Sequence, residues 1–300
     1  MIFTTLAKYN EGINFAFMFM RRLFILILIG LLSGVCANAQ TFSNVRSTFS
    51  CSGEITVNYD LYMEGQTETT NVIVYYSTDN GQNYTLCTTV RGDLLDQNSG
   101  NGKSVIWDLK ADGFSTGFFV FKVEPECVWI NGVCWATRNV GEPGRFVDHP
   151  EDAGMFYQWN SAIGWSSTDP LVSFPNGNSW SGTWDGNSAT TWETTNNICP
   201  AGFRMPTLTE YQSLLDAGSQ WTTIKGVNGR KFGSYDNTIF LPAFGRRESC
   251  DGMLNPGWGG NYWSSTRNSI AYYLTFGVIG VEVTTTIDMA LGFLCRCVAE

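Results

Sequence analysis

The sequence predicts an N-terminal all-β sandwich followed by an irregular, disulfide-stapled α+β domain, both in an exported chain. Three observations carry this prediction. A leader-like stretch precedes eight of the nine cysteines, alternating apolar runs with turn signals fill residues 41–124, and ten of the eleven tryptophans fall in residues 129–263 amid Gly and Asn. Charged residues are only 15% of the chain, so turn-rich extracellular β structure is expected and long helices are not.

The leader comes first. Arg21 and Arg22 precede the apolar run 23–32, and Ala37-Asn38-Ala39 supplies a small-residue cleavage signature. The apolar core is about half of the ~20 residues that a spanning helix needs, so residues 1–39 read as a secretory signal peptide. Met18 or Met20, next to the arginines, is the more ordinary start, and the residues before it read as an upstream extension. Cys36 follows Val35 where a lipid-anchor signal would have a small residue. The mature chain, residues 40–300, is expected to be secreted and to contain no transmembrane helix. Thiols in such a compartment usually pair. The net charge of −9 argues against nucleic acid or an anionic membrane as partner, because both require a basic face.

Residues 40–126 form the predicted sandwich. The runs 55–62, 71–77, 84–90, 104–109 and 117–123 alternate or cluster apolar residues as strands do. Asn80-Gly81 between the second and third takes positive φ readily and makes a tight hairpin. Cys51 stands before the first run and Cys87 within the third, so a Cys51–Cys87 bond would join the two sheets. "YYSTDNGQNYT", "SVIWDLKADG" and "FVFKVE" resemble an immunoglobulin- or fibronectin-like module that precedes other domains in secreted proteins of Bacteroidetes-type bacteria. Arg91-Gly92-Asp93 follows a strand-like run and reads as coincidence, and the Asn83-Tyr84-Thr85 sequon has no matching pathway in bacterial export.

Residues 127–300 differ in kind. Thr207 and Glu210 make a Thr-x-x-Glu capping box, Leu208, Tyr211, Leu214 and Leu215 form one apolar face, and Gly218 ends the helix. A helix this short is unstable alone in water and must dock that face on a sheet.

Around this helix, "INGVCWATRNVG", "EDAGMFYQWN", "CPAGFRMPTLTEYQSLL", "IFLPAFGRR", "NYWSST", "AYYLTF" and "GFLCRCV" resemble, in order, the Fibrobacter succinogenes major paralogous domain. The resemblance implies a C-type-lectin-like fold: short helices, long loops, and terminal strands paired together. It also implies a secreted protein, or one on the outer-membrane surface of a Gram-negative bacterium. Element placement and this resemblance together imply the bonds Cys199–Cys297, at the helix entrance, and Cys127–Cys134, around the Asn131-Gly132 turn. Cys295 and Cys297, two apart in a strand, share a face and do not bond each other, which leaves Cys250–Cys295 as the fourth pair.

The expected function is that of a cell-surface or secreted binding protein, an adhesin that recognises a glycan or an extracellular protein through loops of the lectin-like domain. The aromatic loop 164–192 supplies Trp165, Trp180, Trp184 and Trp192 for stacking on sugar faces, with Asp185, Asn187 and Asn178 to bond hydroxyls. The competing reading is that these tryptophans pin the loop down. Trp258, in "PGWGGNYW", is the other expected contact, and Trp135, Trp159 and Trp263 are expected in the core. Asp148, Glu151 and Asp152 around His149 crowd oxygen ligands as a calcium loop does, against the plainer reading of a solvated acidic turn. Apart from such calcium no cofactor is expected. Glu142-Pro143-Gly144 is a poor substitute for the Glu-Pro-Asn of calcium-dependent lectins, and no Trp-Asn-Asp triplet follows.

An enzyme is not expected, because His149 is the only imidazole and no nucleophile motif surrounds it. The enzymatic alternative is a copper-dependent oxidase similar to the formylglycine-generating enzymes of the same fold superfamily, with Cys295 and Cys297 as thiolates. A structural pilus or matrix component is a third reading.

Overall fold

The computed structural model describes residues 40–50, 52–63, 69–234, 236–256, 258–286 and 288–300. The expected signal peptide, with Cys36, and the disulfide partner Cys51 lie outside the described residues. The chain divides into a unit Met1–Ala37 and a unit Asn38–Glu300, and all the described residues belong to the second.

Two antiparallel sheets build the first half of that unit. One orders Gln40–Phe49, Glu54–Met63, Gly100–Asp108 and Val90–Gly92, and the other orders Thr85–Leu86, Val72–Ser77 and Val120–Pro125. Ile55, Val57, Tyr59 and Leu61 alternate inward from Glu54–Met63 and meet Val72, Val74 and Val123 of the other sheet around Trp107. The two sheets thus share one core, as in a sandwich. At the predicted hairpin Asn80 and Gly81 have φ of 61° and 86°, the left-handed values an Asn-Gly pair supplies.

Two expectations need correction here. The run 84–90 is not one strand: Thr85–Leu86 pairs in one sheet and Val90–Gly92 in the other, so the chain changes sheets at residues 87–89. Strand Gln40–Phe49, which carries no apolar alternation and is mostly exposed, pairs along an edge all the same. Arg91 and Gly92 lie in a strand. Arg91 pairs with Glu54 at 2.6 Å, and the Asp93 carboxylate accepts from the Ser104 N–H, so the tripeptide forms no free loop tip.

In the second half the first and last strands share a sheet, ordered Phe203–Arg204, Val298–Ala299, Val133–Ala136 and Cys127–Ile130. Two three-stranded meanders follow: Ser219–Ile224, Val227–Ser234 and Asn237–Pro242, then Gly259–Arg267, Ala271–Gly277 and Val281–Thr286. The helix Leu208–Asp216 begins at Thr207, with both arms of the capping box closed: Glu210 N–H donates to Thr207 Oγ1 at 3.2 Å and Thr207 N–H to Glu210 Oε2 at 2.7 Å. Arg204 clamps the same carboxylate through both terminal nitrogens, at 2.9 and 2.6 Å. Tyr211 and Leu214 are fully buried against Trp135, Tyr262, Leu274 and Phe276, which is the docking that so short a helix requires. Gly218, at φ 82°, ends it.

Cys127–Cys134 and Cys199–Cys297 are disulfides. All four of these cysteines lie in a core cluster with Trp159, Trp192 and Trp263. The expected Cys250–Cys295 bond is absent. Cys295 is a free thiol at 0% exposure inside that cluster, whereas Cys250 is a free thiol on an exposed turn where Gly252 N–H donates back to Glu248. Cys295 and Cys297 precede the strand Val298–Ala299 instead of lying in one, and a surface turn and a buried core segment do not bring two sulfurs within bonding reach. Cys87 is a buried free thiol.

The two halves meet closely. Thr137 N–H donates to Glu126 O, Tyr75 Oη–H donates to the Asp148 carbonyl at 2.9 Å, and the Tyr75 ring stacks on His149 at 5.7 Å.

Candidate binding cleft

The aromatic loop does not present its tryptophans. Trp165 is 2% exposed and Trp192 7%, while Trp180 and Trp184 are half-buried. Their polar edges are turned inward: Trp180 Nε1–H donates to Ser249 O at 2.7 Å, Trp184 Nε1–H to Trp159 O at 2.7 Å, and Trp192 Nε1–H to Asn196 O at 2.9 Å. Trp165 packs edge-on against Trp180 at 5.1 Å, and Trp192 against Trp159 at 6.0 Å. Asp185 and Asn187 are exposed, but Asp185 Oδ1 accepts from the Asn187 N–H and serves the turn. Asn178 donates to Pro175 O in the same way. The expectation of a stacking loop is therefore replaced by the packing role. A segment with few ladder bonds needs other ties, and here indole N–H groups supply them by donating to backbone carbonyls of the chain around the loop.

The acidic stretch is likewise spent. Glu151 is buried and pairs with Lys225 at 3.0 Å, and Asp152 Oδ2 accepts from the His149 N–H at 3.0 Å. Among the described residues no three or more His, Cys, Asp or Glu side chains gather to hold a metal ion, and Glu151 and Asp152 are engaged in the ion pair and the turn bond instead.

Trp258 behaves differently. It is 90% exposed at the mouth of a cleft of about 690 Å³. One wall is the Ala271–Gly277 and Val281–Thr286 hairpin, whose tip carries Ile279 at 100% exposure and Val278 at 56%. The floor is lined by Gly245, Gly259 and Gly277. At Gly259 an added Cβ would collide with the Phe276 carbonyl, and at Gly260 with the Phe276 ring. Glycine is required at both, because these strands approach too closely for any side chain.

The polar rim is held in place. Glu248 Oε1 accepts from Arg246 Nε at 3.1 Å and from Asn255 Nδ2 at 2.7 Å. The Asn255 bond, followed by that of Arg246, holds the Glu248 carboxyl below its ordinary range. Thr275 Oγ1–H donates to Asn261 Oδ1 at 3.0 Å, and Asn261 Nδ2 donates to Gly245 O at 3.2 Å. Glu282 completes the lining. An exposed indole, an aliphatic lip and fixed amide and guanidinium groups can stack on a flat apolar face while bonding to its polar edge.

Among these groups only Trp258 was picked out by sequence reasoning. The hairpin tip at Val278-Ile279 and the rim residues Arg246, Asn255 and Asn261 were missed, although glycines crowded around a tryptophan were the available signal. Among the described residues four arginines are buried, and the two that are wholly enclosed were also missed. Arg247, at 0% exposure, donates to Ser166 O, Thr168 O and Gly252 O. Arg296, also at 0%, donates to Ala136 O, Phe240 O and Asn139 Oδ1 at 2.9 Å each, and burial pulls its pKa down to about 10.

Neither a protein-family model, nor a curated protein, nor a solved structure matches the chain.

Proposed function

We propose that the chain is an exported binding protein in which the β-sandwich presents a C-type-lectin-like module, and that the Trp258 cleft of that module takes a carbohydrate chain. The observation that carries this reading is an indole 90% exposed beside a cleft of about 690 Å³. Trp258 shares the cleft with the fully exposed Ile279, next to Val278, and a grouping of exposed apolar side chains at a cleft is a usual mark of a recognition surface. The pairing of first and last strands in one sheet supports the lectin-like part of the reading, and the two disulfides support export. No helix among the described residues is long and apolar enough to cross a membrane.

The reading is tested by screening the full mature chain on a glycan array and then by titration with the sugars retained. Trp258→Ala is expected to abolish binding and Trp258→Phe to keep part of it. A silent array, or equal binding by Trp258→Ala, overturns the proposal; retention of extracellular proteins in place of glycans moves the ligand class to protein. The copper alternative finds no support in the cysteines, since Cys297 is bonded to Cys199 and Cys295 is enclosed in the core.

A further inference from the structure

The cleavage signature Ala37-Asn38-Ala39 makes Gln40 the first residue of the exported chain. Gln40 is also the first residue of the edge strand Gln40–Phe49, where it pairs with Met63. Its side chain is half-buried, and both Oε1 and Nε2 are enclosed without a hydrogen-bond partner. It lines a cavity of about 250 Å³ together with Glu124, Thr137, Lys231 and Asp236.

An enclosed carboxamide with neither end bonded is unfavourable, and cleavage sets a charged ammonium group beside it on the same residue. One reaction relieves both. The neutral α-amine attacks the side-chain Cδ, an N–Cδ amide bond forms, the Cδ–Nε2 bond breaks, and Nε2 leaves as ammonia carrying a proton from the amine. No oxidant or other reactant is consumed. The product, a five-membered lactam, keeps one N–H and one C=O in place of an ammonium and a primary amide, so fewer polar groups remain to be satisfied and no charge remains to be desolvated.

We propose that Gln40 is a modification site: once export has removed the leader, it is converted to pyroglutamate, which closes the N-terminus of the edge strand. The proposal rests on cleavage after Ala39 and is independent of what the cleft binds. A chain closed in this way offers no free amine to an aminopeptidase, a useful property at the end of a chain.

The test is mass spectrometry of the full chain exported with its own leader. Free amines are reductively methylated before tryptic digestion, so that cyclisation during handling cannot mimic the result. The expected outcome is a peptide 40–46 that is unmethylated at its N-terminus and lighter by one ammonia, while Gln40→Ser yields a methylated 40–46 peptide of unchanged length. A methylated wild-type 40–46 peptide that keeps its ammonia overturns the modification while leaving the cleavage site standing; the carboxylates of Glu124 or Asp236 would then be the partners of a retained amine. A first peptide beginning at another residue overturns the proposal together with the cleavage reading.

Discussion

The loop 164–192 and the segment 252–282 are written in the same alphabet of Gly, Asn, Ser and Trp, yet the first hides its aromatic rings and the second displays one. The difference lies in what the neighbouring backbone needs. In the loop few residues belong to a ladder, and the indoles of Trp180, Trp184 and Trp192 tie it instead to carbonyls of the surrounding chain, those of Ser249, Trp159 and Asn196. Trp258 immediately precedes Gly259–Arg267, whose pairing with Ala271–Gly277 already satisfies the chain. Its side chain has no structural duty and stands in solvent. Composition therefore does not distinguish a scaffold tryptophan from a contact tryptophan; the state of the surrounding hydrogen-bond ladder does.

This contrast can be broken or sharpened by substitution, taken from the largest expected effect to the smallest. Trp165→Ala removes a ring that is 2% exposed and is expected to cost about 3–5 kcal/mol, seen as a lower chemical-denaturation midpoint at unchanged slope. A loss below about 1 kcal/mol would mean that the loop is not held by its aromatics. Gly259→Ala forces a methyl into the Phe276 carbonyl and is expected to cost about 1–3 kcal/mol. Glycan binding should weaken with it, because the cleft floor moves; retained stability with full binding would show that the close strand approach is wrong.

Glu210→Gln tests the support beneath the cleft, since the helix it caps packs on Tyr262 and Phe276. The expected cost at neutral pH is about 1 kcal/mol. Burial pushes the Glu210 carboxyl up, but hydrogen bonds from Arg204 and Thr207 outweigh it and hold the group below its ordinary range. Its contribution is complete above the unfolded value of about 4.3 and is lost as pH falls through the lower folded value. Thermal melts of wild type and variant should therefore differ at pH 7, begin to approach one another below about pH 4.3, and converge only below the depressed folded value. Trp258→Ala closes the series: stability should change by less than about 0.5 kcal/mol while binding disappears. A large destabilisation would place Trp258 with the loop tryptophans and dissolve the contrast.

Much of the β framework was legible because it rests on local signals. Alternation at residues 55–62 announced a half-buried strand, Asn80-Gly81 the hairpin between Val72–Ser77 and Thr85–Leu86, and Thr207 with Glu210 the helix start; all three are local chemistry that needs no knowledge of the rest of the chain. The edge strand Gln40–Phe49 left no trace, because a strand paired on one side and mostly exposed on both faces needs no apolar period. The third cysteine pair of the second half failed for a related reason: counting leftover thiols cannot tell that Cys250 is on a surface turn and Cys295 in the core. For the site, a tryptophan's exposure depends on what lies opposite it in space. Trp258 and Trp165 were therefore given the same standing although one is bare and the other enclosed.

The two enclosed guanidiniums bear on how this scaffold tolerates change. Arg247 reaches from outside into the loop that contains Ser166 and Thr168 and ties it to the turn at Gly252, while Arg296 fastens Ala136, Asn139 and Phe240 to the last strand region. Each acts as a rivet with several prongs, and lysine, with one nitrogen, cannot take its place. Surface residues of the loops are thereby released from defining the path of the chain. New recognition sequences grafted at the loop apices should inherit the parent geometry as long as positions 247 and 296 remain arginine.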